Sequence, residues 1–213
     1  YNFYDFWLGN SIRLFERENE DKVITNFITS ARYYVTDYKE GPLPINDPNG
    51  LYTNQKTILA SFGISSLNYV QDKYIFNYGI IEDVSVGKIF SITGGLQWKN
   101  GIRRPYVGTK LSMGKYTNIG FLGANFQWGT YFNGNNLEES VFRAEGLYFS
   151  KVMELGRWKF RQFFNPEIVY GYHRMDYAKD KISLNGRYGI DGFDSYTLTG
   201  TKKVLLNFQT QSY

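Results

Sequence analysis

The chain has a single histidine, His173 in "GYHRMDY", so any histidine-based nucleophilic chemistry must pass through it. A triad would need a serine or comparable nucleophile within hydrogen-bond reach of that ring. No GxSxG or HxS pattern lies nearby, and His173 is expected to be a polar residue where a strand gives way to a loop. Glu82 and Asp83 in "GIIEDVSVG" form an acidic pair. The carboxylates of a glycosidase must face each other across a cleft, which neighbours on a strand end do not, so a solvated turn is expected. Gly186, Gly189 and Gly192 do not match a phosphate-cradling GxGxxG. Asp180, Asp191 and Asp194 lack the spacing of an EF-hand loop. With no cysteine there is no thiolate metal site, cysteine nucleophile or disulfide framework. The chain is expected to be no enzyme and to carry no catalytic residue, cofactor or metal.

What remains to be positioned is a set of charges on strands. Apolar residues fall repeatedly on one parity, the period of a β-strand. Leu122, Ala124, Phe126 and Trp128 oppose Phe121, Asn125 and Gln127, while Phe142, Ala144, Gly146 and Tyr148 oppose Arg143 and Glu145. Phe160, Phe164, Ile168 and Tyr170 oppose Lys159, Arg161, Asn165 and Glu167. A soluble sandwich would give the same alternation, so periodicity alone leaves the wet face unassigned. Three further features favour a transmembrane β-barrel. The strand candidates run about ten residues or more, where soluble strands centre on about five or six. Aromatics gather near strand ends, as at Tyr33 and Tyr34 or Tyr131 and Phe132. Glycines such as Gly94, Gly108 and Gly129 recur inside strands, where they relieve curvature.

The expected strands are Tyr4–Phe15, Val23–Thr36, Lys56–Val70, Tyr74–Ile81, Lys88–Trp98, Pro105–Tyr116, Ile119–Tyr131, Ser140–Ser150, Trp158–Tyr170 and Thr201–Gln211. Short turns at "QDK", "KNG" and "YTN" join an antiparallel meander. Longer connections span Asp37–Asn54, Phe132–Glu139 and Gly171–Gly200. This strand count places Asp37–Asn54 at the opposite end from Gly171–Gly200. Thirty residues without a strand pattern are uncommon unless functional. Gly171–Gly200 is expected to fold into the lumen, with Tyr188, Phe193 and Tyr196 as anchors and Gly189 and Gly192 allowing close approach to the wall. An extracellular loop packed on itself is the alternative.

Composition bounds the partners. The chain of 213 residues has 24 basic and 20 acidic side chains, a net charge of +4 without a Lys/Arg cluster, and nucleic acid is not expected. No apolar run approaches the roughly 18 residues of a spanning helix. The start, "YNFYDFWLGN", carries no export-signal pattern, and the chain is read as part of a longer protein.

From Ile190 to Tyr213 the sequence resembles the BamA/TamA (bacterial surface antigen) outer-membrane barrels. In that family a lumen-folded loop carries an aliphatic residue, Arg, Gly and an aromatic, followed by a strand of two apolar residues, Asn, any residue and Glu. Here Ile190, Asp191, Gly192 and Phe193 precede "SYTLTGTKKVLLNFQTQSY". Asp191 stands where the family has arginine, and Gln209 where it has glutamate. The resemblance implies an all-β fold, an antiparallel transmembrane β-barrel of the outer membrane. Residues 1–213 would form part of a sixteen-stranded barrel domain with a lumen-folded loop at about 171–200. Periplasmic repeats would precede Tyr1, and final strands would follow Tyr213. Wall partners for the loop are expected among Arg143, Glu145, Lys159, Arg161 and Glu167, with either Asp191 facing one of the cations or the family's loop-to-wall lock absent. It implies a Gram-negative outer-membrane location, lipid and lipopolysaccharide contacts, and client outer-membrane proteins and accessory lipoproteins as partners. The implied function is insertion or translocation of proteins by strand addition at a lateral seam. A passive pore and a barrel anchoring an upstream soluble enzyme are the alternatives.

Overall fold

Apolar and polar residues alternate over segments of 11 to 19 residues, and each such segment is a strand. A computed structural model describes residues 1–14, 24–43, 45–47, 50, 52–174, 181–185, 189–190, 192–195 and 197–213. Its long strands are β1 (Asn2–Arg13), β2 (Ile24–Asp37), β3 (Gln55–Lys73), β4 (Ile81–Lys99), β5 (Ile102–Thr117), β6 (Gly120–Asn133) and β7 (Asn136–Ser150). A short β8 (Met153–Leu155) leads into β9 (Trp158–Tyr172). Then come the two-residue β10 (Ile182–Ser183) and β11 (Thr199–Gly200), and the long β12 (Lys202–Ser212). The fold is all-β, and the long strands form one antiparallel sheet in the order β1-β2-β3-β4-β5-β6-β7-β9-β12, with β8 paired to β9 and β10 to β11. The expected inner ends Phe15 and Val23 lie outside the described residues.

Turn chemistry sets several of the hairpins. Asn100 (φ 54°) and Gly101 (φ 73°) supply the two positive-φ positions of the tight turn between β4 and β5. Between β5 and β6 the Thr117 hydroxyl donates to the Gly120 carbonyl (2.8 Å) and accepts from the Ile119 N–H (3.3 Å).

Three expected boundaries are corrected. In place of the expected strand Tyr74–Ile81, residues 74–80 form a turn, and "QDK" belongs to β3, whose Lys73 pairs with Ile81 of β4. Tyr74, Phe76 and Tyr78 have strand-like spacing, but Tyr74 (φ 61°) and Gly79 (φ 68°) break the extended backbone. The Glu82 carboxylate accepts the N–H groups of Ile75 (3.2 Å) and Phe76 (2.9 Å) and the side-chain amide of Asn77 (3.0 Å). Losing this strand inverts the count, so the long connections 38–54 and 173–201 lie at the same end of the sheet, called distal here. The turn 74–80 lies at the proximal end.

Nor is Phe132–Glu139 a loop, since β6 runs to Asn133 and β7 starts at Asn136. Here Glu139 and Ser140 together oppose the single Thr130, and Glu139 takes φ 49°. This bulge breaks the alternation that the sequence reading relied on.

Glu82 is held below the ordinary glutamate pKa of 4.5, with the Phe76 N–H as the largest cause and the Asn77 amide and Ile75 N–H adding to it against desolvation. A depressed folded-state value stabilises the turn fully above pH 4.5, and that stabilisation is lost as pH falls through the lowered value. Glu82→Gln is expected to raise amide exchange at Ile75 and Phe76 roughly threefold to tenfold at pH 7, with the two proteins converging in acid at matched pH. Equal exchange at pH 7 would contradict the assignment.

The sheet curls. Asp72 on β3 and Arg161 on β9 are separated by four intervening strands, about 24 Å in a flat sheet. Their charged groups nevertheless meet at 3.0 Å. Inside the curl Arg161 is 1% exposed, Arg104 4% and Gln97 5%. On the outer face Phe62 is 58% exposed, Leu206 60% and Phe208 74%. The polar face is therefore covered and the apolar face is bare, the reverse of a soluble sandwich.

Candidate functional site

The covered face is a polar hollow bearing two clusters of paired charge. In the first, Arg104 on β5 lies directly across from Gln97 on β4. Arg104 Nε donates to Gln97 Oε1 (3.1 Å), and Nη2 donates to the same oxygen. Nη1 donates to Glu138 Oε2 (2.9 Å) and Glu139 Oε1 (3.0 Å), while the guanidinium sits 4.8 Å from the Tyr131 ring centre. Consecutive strand residues ordinarily face opposite ways. The bulge at Thr130 is what lets Glu138 and Glu139 reach the same arginine.

The second cluster crosses β7, β9 and β12. Glu145 stands opposite Glu167 in register, a like-charge pair that is destabilising by itself. Arg143 Nη2 relieves it, reaching Glu145 Oε1 at 2.6 Å and Glu167 Oε1 at 3.0 Å. Lys203 of β12 closes on Glu167 Oε2 at 3.1 Å. Arg143, Glu167 and Lys203, with Lys110 and Gln127, line a cavity of about 560 Å³. Ile182 from the long distal connection also lines it, so that connection reaches the hollow.

Of the wall residues singled out in the sequence, Arg143, Glu145 and Glu167 are thus brought together, and Arg143 and Glu167 share their cavity with Ile182 of the long connection. Lys159 and Arg161 are not among them. They occupy the proximal end of β9, where Lys159 pairs with Glu154 (2.8 Å) and Arg161 with Asp72. Eleven residues of strand, roughly 36 Å, separate Arg161 from the loop end of β9.

Asp191 lies outside the described residues, as do Asp180, Gly186, Tyr188 and Tyr196. Around it, the Phe193 N–H donates to the Ile190 carbonyl (3.0 Å), closing a turn in which Gly192 takes φ 75°. The Ile190 N–H donates to the Leu184 carbonyl (2.9 Å). Gly189 does make a close approach, but to its own loop: a Cβ there would lie 1.9 Å from the Leu184 carbonyl oxygen. The Asn185 amide clasps the two limbs, donating to Asp194 Oδ1 (2.8 Å) and the Ser195 carbonyl (2.9 Å) and accepting the Ser195 N–H (2.9 Å).

Sequence reasoning missed Asp72, Arg104, Glu138, Glu139 and Lys203. Lys203 shares parity with Gln209 on β12, a signal that could have found it. The Asp72–Arg161 pair spans 89 residues and left no local trace.

Among the described residues no serine hydroxyl is hydrogen-bonded to His173, whose ring packs edge-on to Tyr172 at 5.4 Å. No group of three or more His, Cys, Asp or Glu there could hold a metal ion. The hollow offers fixed charges and hydrogen bonds. No protein-family model, no curated protein and no solved structure matches the chain.

Proposed function

We propose that this chain is part of an outer-membrane β-barrel of the BamA/TamA type, acting in insertion or translocation of proteins by strand addition at a lateral seam. What carries the reading is the edge of β1 together with the apolar face that the sheet leaves bare. β1 pairs on one side only among the described residues, over 12 residues, and it presents bare apolar side chains, as does the outer face of β12. In hydrocarbon every backbone N–H and C=O needs a partner, so such an edge is completed by another strand. An edge that can lend its hydrogen bonds lowers the barrier for an incoming strand of a client protein. The loop motif Ile190, Asp191, Gly192 and Phe193, joined to a connection whose Ile182 reaches the hollow, fits the same reading. The lipid surface, lipopolysaccharide, client outer-membrane proteins and accessory lipoproteins follow as its partners.

The test is refolding of a small outer-membrane barrel into liposomes that contain the full-length protein. We expect at least about fivefold acceleration over empty liposomes, and crosslinking of the client to single cysteines placed along β1. Absence of both would refute insertion activity. The polar cavity favours a passive pore as the second reading, which predicts conductance without acceleration of folding.

A further inference from the structure

The β3–β4 hairpin is longer than its surroundings require. Among the described residues, pairing of β3 with β2 runs as far as Leu67, and pairing of β4 with β5 ends at Gly87. Beyond these points, residues 68–86 pair only within the hairpin among the described strands. This overhang does not continue the wall. Ile75 at its tip is 3% exposed and packs in one cluster with Phe121 of β6, Phe149 of β7 and Phe163 of β9, joined by Val84, Val86 and Tyr116. All four wall aromatics face the hollow, so the hairpin has folded across its proximal end.

A hinge and a latch accompany that fold. Gly87, where the hairpin leaves the wall, has φ 133°, and a Cβ there would lie 2.0 Å from the Ser66 carbonyl oxygen. Only glycine fits such a bend. The latch is Asp72, whose carboxylate accepts two bonds from Arg161 (3.0 and 3.1 Å) and one from the Tyr116 hydroxyl (2.9 Å). At the tip, the Tyr213 hydroxyl donates to the Tyr74 carbonyl (2.9 Å), and Tyr213 packs against the Tyr74 ring at 5.1 Å. The backbone of Tyr213 is in turn held on β9 by two bonds with Lys159.

We infer that the β3–β4 hairpin is a hinged plug that shuts the proximal mouth of the polar hollow, latched by Asp72 to Arg161 and by Tyr213 to Tyr74. The inference deepens the membrane-barrel reading and rests on it only for what the plug blocks, which is passage of water and small solutes. A bidentate ion pair and one aromatic cluster hold it, and local openings of this kind are separable from global unfolding. The second latch joins the plug to the end of β12, so displacing that strand end would also loosen the plug.

The test places a reporter under the plug. Ser112→Cys sits in a hollow of about 270 Å³ beside Ser85, Gly87 and Phe121. Its reaction with a charged methanethiosulfonate is followed in detergent and lipid. Asp72→Asn is expected to speed labelling at least about tenfold, and the swap Asp72→Arg with Arg161→Asp to return it to within about threefold of the parent. Tyr213→Phe, which removes one hydroxyl, is expected to give about a twofold to fivefold rise without risk to folding. Labelling of both Asp72→Asn and Tyr213→Phe within twofold of the parent would overturn the plug, as would a swap that fails to restore it. The same proteins in planar bilayers separate the two ideas. Rising conductance in Asp72→Asn supports both, whereas labelling that responds without conductance in any variant refutes the membrane-barrel reading and leaves the plug standing.

Discussion

Phe126→Arg, in the middle of β6, is expected to cost about 2–4 kcal/mol of folding stability in a lipid bilayer, the cost of a cation on the lipid-facing side of a barrel near the midplane. In water the same change should be close to neutral, because Phe126 is already 39% exposed and surface substitutions are generally within about 0.5 kcal/mol. Its outward neighbours in register are Leu111 and Ala144, so no anion waits beside it. Reversible denaturant unfolding in liposomes measures the difference, with the parent chain as reference. A cost below about 0.5 kcal/mol would mean that this face does not meet hydrocarbon, and the outer-membrane reading would fail with it.

That prediction turns on the point where sequence reading stops. The parity of Leu122, Phe126 and Trp128 against Asn125 and Gln127 was legible, because a strand has period two and the ladder kept it. Which parity is covered was not legible from the alternation, since a sandwich and a barrel are written the same way, and the sequence reading favoured a barrel on strand length, aromatics and glycines instead. The curl decides it, and the curl is recorded in contacts such as Asp72 with Arg161 that no local window contains.

The errors were local and have local causes. Tyr74, Phe76 and Tyr78 imitate a strand, yet the Glu82 carboxylate offers their backbone a better arrangement as a turn. That one misreading moved a long connection to the wrong end. The loop motif was visible as residue types from Ile190 to Phe193, but the Asn185 clasp that shapes it depends on side-chain geometry. Arg143 and Glu167 were legible as inward charges, while Lys203 as their third member needed the register of β12 against β9.

Arg104→Met should be among the most damaging single changes in the hollow. Arg104 is 4% exposed and is the common partner of Glu138, Glu139 and Gln97. Removing one member of a buried ion pair generally costs about 3–5 kcal/mol, because the surviving charge is left without compensation. Here the Glu138 and Glu139 side chains remain 26% and 18% exposed, and Lys99 lies 3.9 Å from Glu139, so water and lysine offset part of the loss. About 2–3 kcal/mol is expected. The bulge gives this number its diagnostic value. Because it turns two consecutive carboxylates to one side, deleting the arginine leaves them facing each other as well as unpaired. Arg104→Met combined with Glu138→Gln and Glu139→Gln should therefore recover at least about half of the loss, since neutral amides carry neither the repulsion nor the ionic desolvation cost. Unfolding midpoints of the parent, the single and the triple variant decide the matter. A triple variant no more stable than Arg104→Met would show that the arginine acts through packing on Gln97 and Tyr131, and the bulge would then have no electrostatic role.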